Sequence, residues 1–201
     1  MSQPLAGIVL AGGASRRMGE DKAALDLGGQ PMLTRIVTEL RRRCDPITVV
    51  AAQDSAAYAA FSEAPGLRWV TDEDPGTGPL GALAAGLTDA AAHDVPVVFV
   101  CATDMPLLRA DLVDELVAGL GAEDDAVIAV DAQRQHPLAA VYRSSCAARL
   151  AALVAGGERR LLAALDEMTV HRVGVSDPTW LTNVNAPEDV HRLRRDKIAI
   201  P

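Results

Sequence analysis

The sequence predicts an α/β protein with a three-layer, Rossmann-like architecture and a mostly parallel central sheet. Two observations support this prediction. Short runs of aliphatic and β-branched residues, typical of buried strands, alternate along the chain with longer segments of helical periodicity. The loops after several of these runs are rich in glycine, proline or aspartate. Because 49% of the 201 residues are hydrophobic and only 3% are aromatic, the core must consist mainly of Ala, Val, Leu and Ile.

The individual elements follow from this alternation. The apolar runs predict strands at 7–11, 47–51, 67–71 and 95–102, with two further candidates at 126–130 and 138–142. Apolar residues at helical spacing predict helices at 31–40 and 55–63, from 79 onward, and at 109–120, 144–154 and 161–168, with a last helix after Pro187. Pro31 and Pro79 suit the first turn of a helix, where the missing N–H is not needed.

The first strand leads into a glycine-rich loop with several cations, residues 10–22. Gly12 and Gly13 allow backbone N–H groups to lie directly against a ligand. Backbone donors close to Arg16, Arg17 and Lys22 are typical of a site for an anion with several charges. The loop therefore indicates a nucleotide triphosphate, from which diphosphate would leave.

Two better-known phosphate-binding loops do not fit residues 10–22. The P-loop requires four residues between its glycines and a lysine after the second, whereas five residues separate Gly13 from Gly19, and Glu20 follows. The dinucleotide fingerprint also fails, because Gly12 and Gly13 are adjacent. The remaining alternative is a solvated basic loop, which leaves the paired glycines and the preceding strand unexplained.

Residues 10–22 match the pattern LAGG-x-S-x-R-M-G-x-D-K at every fixed position. This stretch resembles the signature of the nucleotidyltransferases related to molybdenum cofactor guanylyltransferase. The resemblance implies a magnesium-dependent transfer of GMP from GTP to a molybdopterin-type cofactor, with release of diphosphate and formation of a guanine dinucleotide. It also implies one domain over 1–201, with a nucleotide-binding half at about 1–108 and an acceptor-binding half at about 109–195. We expect residues 196–201 to form a disordered tail.

Two aspartates mark the nucleotide side of the site. Asp72 and Asp104 directly follow predicted strands, so in a parallel sheet both lie at the same edge as Gly12. Asp104, opposite a triphosphate loop, fits the one or two carboxylates that magnesium takes from a protein. Asp72 fits the N1–H and N2–H₂ donors of guanine. The resemblance implies Lys22, Arg17 and Asp104 as catalytic residues, and a nucleotide site made of Leu10, Ala11, Gly12, Gly13, Lys22, Asp72, Gly78 and Asp104.

The second half of the chain supplies the acceptor side. The resemblance continues through His136-Pro137, through Gly157 to Arg160, and through the run Asn-Val-Asn-Ala-Pro-Glu that begins at Asn183. It implies that His136, Arg159, Arg160 and Asn183 bind the acceptor, and that Asn185 is a second metal contact beside Asp104. Two arginines before a helix are locally unfavourable, which independently indicates an anionic partner there.

The choice of nucleotide and acceptor stays open at this stage. The paired glycines go with guanylyl transfer in the family, but Ala51 and Ala52 occupy a position where some guanylyltransferases have asparagine. Transfer of CMP to the same pterin is therefore one alternative. The others are an enzyme of this fold that acts on a sugar or alcohol phosphate, and a nucleotide-binding subunit without turnover.

Composition excludes several other classes of function. A net charge of −8 disfavours nucleic acid as the main partner. Cys44, Cys101 and Cys146 are odd in number and widely spaced, so we expect buried thiols instead of disulfides or zinc ligands. Neither a signal peptide nor a long apolar run is present, so we expect a cytoplasmic protein without a membrane partner. The implied partners are GTP, the molybdenum cofactor, and molybdoenzymes or cofactor-insertion proteins.

Overall fold

In a computed structural model, one seven-stranded sheet organises the part of the chain that the structure describes. That part comprises residues 5–12, 23, 25–27, 29–74, 77–186, 188–189 and 192–193. The strands are β1 (Leu5–Leu10), β2 (Ile47–Ala51), β3 (Leu67–Thr71), β4 (Val97–Ala102), β5 (Ala126–Val130), β6 (Gln135–Arg143) and β7 (Val170–Gly174).

The strand order is β3-β2-β1-β4-β6-β5-β7, and the first four strands are parallel. β6 runs antiparallel to both β4 and β5, whereas β7 is parallel to β5. The predicted mostly parallel α/β sheet is confirmed. The antiparallel strand follows a hairpin loop of four residues, which is far too short for a parallel crossover connection.

Helices cover both faces of the sheet. They are α1 (Met32–Leu40), α2 (Ala56–Phe61), α3 (Gly78–Ala92), α4 (Ala110–Ala118), α5 (Ala147–Ala155) and α6 (Leu161–Leu165). Apolar residues of α1, α2 and α4 pack on one face, and those of α3, α5 and α6 pack on the other. β1 is continuously apolar because both of its faces are buried. Val9 faces the layer of α1, α2 and α4, while Ile8 and Leu10 face the layer of α3, α5 and α6.

The second half departs from the predicted elements in four places. β6 begins at Gln135 instead of residue 138, because a β-bulge beside Pro137 lets the strand continue through the proline. β7 was not predicted, since Val170–Gly174 contains only two apolar residues and is mostly exposed at the sheet edge. α6 ends at Leu165, three residues before the predicted end, and Ser144–Cys146 forms a 3₁₀ turn before α5.

The three cysteines are free and buried, as predicted. Burial raises the pKa of the Cys44 thiol to about 12 and that of Cys146 to about 11, so both are protonated and unreactive at neutral pH. Across the described ranges, every helix is too short or too polar to cross a membrane.

Candidate nucleotide and acceptor site

The four neighbouring strands β3, β2, β1 and β4 end side by side at the edge that carries the site. Backbone hydrogen bonds continue the sheet one residue beyond the strands: Ala11 N donates to Val50 O at 2.8 Å, Asp72 N to Ala51 O at 2.9 Å, and Thr103 N to Leu10 O at 3.2 Å. The first and third bonds fix the backbone one residue before Gly12 and Asp104, and the second fixes the backbone of Asp72 itself. The structure therefore brings Gly12, Asp72 and Asp104 to one edge of the sheet.

Gly12 and Asp72 lie in direct proximity. A Cβ atom built on Gly12 would lie 3.4 Å from Oδ2 of Asp72, so the carboxylate faces the glycine backbone. Asp72 is only 8% exposed, and this burial raises the pKa of its carboxyl group. A buried carboxylate is costly unless hydrogen-bond donors are supplied to it, and the backbone N–H of Asp74 supplies one. Further hydrogen-bond donors on a ligand would stabilise the ionised form of Asp72.

The segment after Asp72 is held in place by Thr77. Its backbone N and its Oγ1 both donate to the carbonyl of Asp74, at 2.9 and 2.6 Å. The same side chain fills the space beside Gly81 in the first turns of α3, and a Cβ there would lie 2.7 Å from the Thr77 Cβ. Gly78 has φ +68°, and a Cβ added to it would lie 3.6 Å from the Arg159 carbonyl oxygen. This contact joins the predicted nucleotide side of the site to the predicted acceptor side.

Asp104 opens onto a cavity of about 220 Å³. The cavity is lined by Ala102, Asp104, Met105, Arg134, Gln135, His136, Pro137, Leu138, Leu161 and Asn183. The carbonyl of Asp104 accepts a hydrogen bond from Val184 N at 2.8 Å, which places Asn183 beside the aspartate. Oδ1 of Asn183 is buried and accepts no hydrogen bond within the described residues. The unpaired amide oxygen and the neighbouring carboxylate are both hard ligands, and together they suit a cation such as Mg²⁺.

His136 enters this cavity in a fixed orientation. It is 7% exposed, and its Nε2 lies 2.7 Å from Oδ2 of Asp131. Oδ1 of the same aspartate accepts the backbone N–H groups of Gln133 and Arg134, at 2.7 and 2.9 Å. The bond from Gln133, then the histidine contact, and to a smaller extent the bond from Arg134 lower the pKa of Asp131 to about 2. The carboxylate is therefore ionised at neutral pH and accepts a hydrogen bond from the Nε2–H group of His136.

A bulge in the β5–β6 hairpin sets the position of His136. The register shifts between Ile128 and Ala129, so that Ala129 pairs with His136 while Ile128 pairs with Ala140. The extra residues on β6 include Pro137, whose carbonyl accepts a hydrogen bond from the Tyr142 hydroxyl group at 2.8 Å. Bulges commonly re-aim side chains next to active sites.

The two predicted arginines lie outside the Asp104 cavity. Nη1 of Arg159 donates to the carbonyls of Val154 and Glu158, both at 2.9 Å, so its guanidinium lies at the end of α5. Arg160 is 79% exposed and forms an ion pair with Glu158 at 3.2 Å. The hydrogen bond from Arg160 is the main reason that the pKa of Glu158 is lowered to about 2.

The structure places the remaining predicted residues as follows. Leu10 and Ala11 are buried in the core, so only their backbone can face a ligand. Asn185 is exposed, and its backbone N donates to Oδ2 of Asp189 at 2.8 Å, whereas Asn183 lines the Asp104 cavity. Predictions for Gly13, Arg17 and Lys22 concern positions outside the described residues.

A family model described as the MobA-like NTP transferase domain matches residues 7–169. The chain belongs to the MobA-like NTP transferase family. This membership confirms the resemblance that the glycine-rich loop indicated.

Relatives in the MobA-like family match the chain over nearly its whole length. A probable molybdenum cofactor guanylyltransferase of Mycobacterium marinum is 44% identical over 188 residues, which cover 92% of this chain and 91% of that protein. A protein of the same description from Mycobacterium tuberculosis is 43% identical over 190 residues, or 94% and 92% of the two chains.

Solved structures share the fold at lower identity. The molybdopterin-guanine dinucleotide biosynthesis protein A of Archaeoglobus fulgidus superposes with a TM-score of 0.80 at 24% identity, over 96% of this chain and 98% of the other. A 4-diphosphocytidyl-2C-methyl-D-erythritol synthase of Anaerococcus prevotii gives 0.72 at 14%, over 97% and 98%. Since proteins named for different nucleotides share this architecture, the fold alone does not decide the base.

Sequence reasoning missed Asp131 as a residue of the site. By its pattern it lies in the polar loop between the strands predicted at 126–130 and 138–142. A usable signal was present, because an aspartate at the start of a four-residue hairpin loop commonly accepts backbone N–H groups two and three residues on. The bulge that brings His136 opposite it was not predictable from strand periodicity.

Proposed function

We propose that this protein transfers GMP from GTP to the phosphate of a molybdopterin-type molybdenum cofactor, with release of diphosphate. One observation carries the proposal. Gly12, Asp72 and Asp104 share one sheet edge with a cavity containing His136 and Asn183, in a chain 44% identical to a probable molybdenum cofactor guanylyltransferase.

The preference for guanine rests on Asp72. A carboxylate accepts two hydrogen bonds in parallel, and guanine presents N1–H and N2–H₂ side by side, whereas cytosine presents only one exocyclic amino group. The buried position of Asp72 makes unpaired ionisation costly, so a base that satisfies both oxygens gains more than one that satisfies a single oxygen. This asymmetry supports GTP over CTP.

The triphosphate would lie along the glycine-rich loop. Gly12 has no side chain between its backbone and Asp72, so the N–H groups of this loop can approach a phosphate closely. Lys22 and Arg17 would neutralise charge on the transferred phosphoryl group and on the leaving diphosphate. No protein nucleophile is needed, because the terminal phosphate of the acceptor itself attacks the α-phosphorus.

The residues at the edge of the sheet fit a magnesium ion. Asp104, together with the amide oxygens of the 183–185 segment, would hold it, and the unpaired Oδ1 of Asn183 supports this assignment. Magnesium with one or two protein ligands and substrate phosphates in the remaining positions is the usual arrangement in phosphoryl transfer. When bound, Mg²⁺ supplies charge neutralisation at the phosphates.

The acceptor phosphate would enter the cavity of about 220 Å³ beside Asp104. His136, held by Asp131, and Asn183 would position it there. Positioning of both substrates and neutralisation of charge are together sufficient for a transfer of this type.

Two alternatives make different predictions. An enzyme of the same fold that acts on a sugar or alcohol phosphate would show no turnover with the pterin acceptor. A nucleotide-binding subunit would bind GTP without releasing diphosphate.

The direct test uses GTP labelled at its α-phosphate, together with molybdenum cofactor and magnesium. The proposal predicts that the label moves to the pterin product and that one diphosphate is released per labelled product. Release of diphosphate without label on the pterin would indicate a different acceptor, and absence of both would favour the binding subunit.

A further inference from the structure

A cavity of about 480 Å³ lies at the end of the sheet opposite the candidate site. Leu5, Val97 and Arg143 line this cavity, and their backbone pairing places them in one row across the neighbouring strands β1, β4 and β6. β1 and β4 begin at this row and end beside Gly12 and Asp104. At about 3.3 Å per residue, the stretch from Leu5 to Gly12 spans roughly 20 Å. We call this space the Arg143 cavity.

Arg143 is a fixed cation in this cavity. Its Nε donates to the carbonyl of Asp124 and its Nη2 to the carbonyl of Gly121, both at 2.8 Å, so two edges of the guanidinium are held by the backbone. The carboxylate of Asp124 accepts the backbone N–H of Gly121 at 2.8 Å and does not line the cavity. Within the described ranges, no carboxylate forms an ion pair with Arg143. Its charge is therefore not neutralised, and its Nη1 is left for a ligand.

The other two charged side chains of the lining neutralise each other. Nε of Arg43 lies 2.7 Å from Oδ1 and 2.8 Å from Oδ2 of Asp114. This hydrogen bond is the main reason that the pKa of Arg43 is raised. Two arginines and one aspartate leave one net positive charge, which is that of Arg143. A chain with a net charge of −8 thus carries a cationic cavity at this end of the sheet.

Apolar side chains form the rest of the lining, which consists of Leu5, Val97, Val117, Leu120 and Ala122. Val117, near the end of α4, is 38% exposed. A single exposed valine is ordinary on a protein surface. Here, however, it borders a cavity that holds a fixed guanidinium. One cation beside an apolar wall suits an organic anion with a single charge, whereas a triphosphate needs several donors.

We infer that the Arg143 cavity binds a small organic acid with one carboxylate and an apolar body, apart from the nucleotide and the acceptor. The carboxylate accepts a hydrogen bond from Nη1 of Arg143, and the apolar body covers Val117 and Leu120. A volume of about 480 Å³ lies within the range of about 300–1,000 Å³ that is usual for small-molecule sites. No residue of this lining belongs to the Asp104 cavity, so a failure of this inference would leave the proposed function intact.

The test titrates phenylpropionate into the full chain labelled with nitrogen-15 and follows the amide chemical shifts. We expect saturable shifts at Val97 and Ala122, and none at Asp72 or Asp104. The neutral analogue phenylpropionamide should bind about tenfold more weakly, because it lacks the charge that Arg143 recognises. Acetate should also bind more weakly, because it lacks the apolar body.

Two substitutions locate the binding. Arg143→Gln should weaken binding of phenylpropionate about tenfold, the effect of losing a charge-assisted hydrogen bond. Val117→Asp should weaken it at least about fivefold, because a carboxylate replaces part of the apolar wall and repels the ligand. Ala118→Asp is the matched control, because it adds the same charge to the same end of α4 at an exposed residue that does not line the cavity.

Equal affinity of the wild type, Arg143→Gln and Val117→Asp would overturn the inference, as would a wild type without saturable shifts at Val97 and Ala122. Equally tight binding of phenylpropionamide would overturn the role of the charge. If Arg143→Gln melts early, the comparison of Val117→Asp with Ala118→Asp decides, and equal losses in these two variants would contradict binding in this cavity.

Discussion

Nε2 of His136 lies 2.7 Å from Oδ2 of Asp131, while Oδ1 of this aspartate accepts two backbone N–H groups of the hairpin loop. The carboxylate is anchored by the backbone and in turn anchors the imidazole. Because the ionised carboxylate can only accept, Nε2 carries the proton, and Nδ1 is the ring nitrogen left for a ligand. Asp131 is therefore a positioning residue for His136.

Replacing Asp131 with asparagine should weaken the positioning of His136 without altering the nucleotide side. We expect the KM for the acceptor to rise about tenfold, as loss of a charge-assisted contact typically costs, with little change in the KM for GTP. Steady-state kinetics with each substrate varied in turn would check this split. Asp177→Asn is the control, since Asp177 also accepts a local backbone N–H at the start of a short helix. Equal rises in both KM values would contradict a positioning role.

The same aspartate predicts a pH dependence of stability. The pKa of Asp131 is about 2 in the folded protein, below its ordinary value of 3.8, so the folded state favours the ionised form. The stabilisation by the ionised carboxylate is fully present above about pH 5. It is lost as the pH falls from the ordinary pKa of 3.8 to the folded pKa of about 2, and it is absent below about pH 2. Urea unfolding should therefore show wild type more stable than Asp131→Asn at pH 6, with a smaller gap near pH 3. A gap independent of pH would show that the charge is not the cause.

Ionisation of Asp72 should lower the stability of the folded protein, whereas ionisation of Asp131 raises it. Burial raises its pKa, so the folded protein without ligand binds a proton more tightly than the unfolded chain does, and ionisation at neutral pH costs stability. Asp72→Asn should raise the Tm of the protein without ligand at pH 7, and this gain should shrink as the pH falls. The same change should weaken GTP binding at least about tenfold, because the asparagine accepts only one of the guanine hydrogen bonds. Melting curves with and without GTP would detect both effects; a lower Tm without ligand would contradict the account.

Asp104 should be required for turnover and dispensable for folding. We expect Asp104→Asn to lower kcat by roughly 100- to 1,000-fold, the range for losing one group that stabilises transition-state charge. Asp94→Asn serves as the control, because Asp94 lies in a turn with φ 57°, a conformation that asparagine also adopts. Near-normal activity of a folded Asp104→Asn protein would remove Asp104 from the mechanism.

A side chain at Gly81 should weaken GTP binding by displacing the side chain of Thr77. Alanine normally stabilises a helix interior, but a Cβ at Gly81 would collide with the Thr77 side chain, which holds the loop after Asp72. Gly81→Ala should raise the KM for GTP roughly tenfold by displacing that loop. Gly174→Ala is the matched control, since a Cβ there meets nothing within 4 Å. An unchanged KM for GTP would show that Thr77 does not position the nucleotide loop.

The sequence predicted the first half of the fold well because its strands are buried on both faces. β2 and β3 have the predicted bounds, and β4 differs by two residues at its start. Buried strands of a parallel sheet are continuously apolar and flanked by turn residues, so composition alone identifies them. The shared edge of Gly12, Asp72 and Asp104 then followed from the rule for parallel strands.

The second half was harder because its features depend on tertiary contacts. β7 is an edge strand whose sequence alternates weakly, and only its pairing with β5 makes it a strand. The position of His136 depends on a bulge in which Pro137 interrupts the pairing.

The central claim is tested most directly by diphosphate release from the purified protein with magnesium and molybdenum cofactor, comparing GTP, CTP, ATP and UTP in parallel. The account predicts release with GTP and, as a consequence of Asp72, little release with the other three. Preferential release with CTP would leave the fold and the mechanism standing but would contradict the assignment of the base.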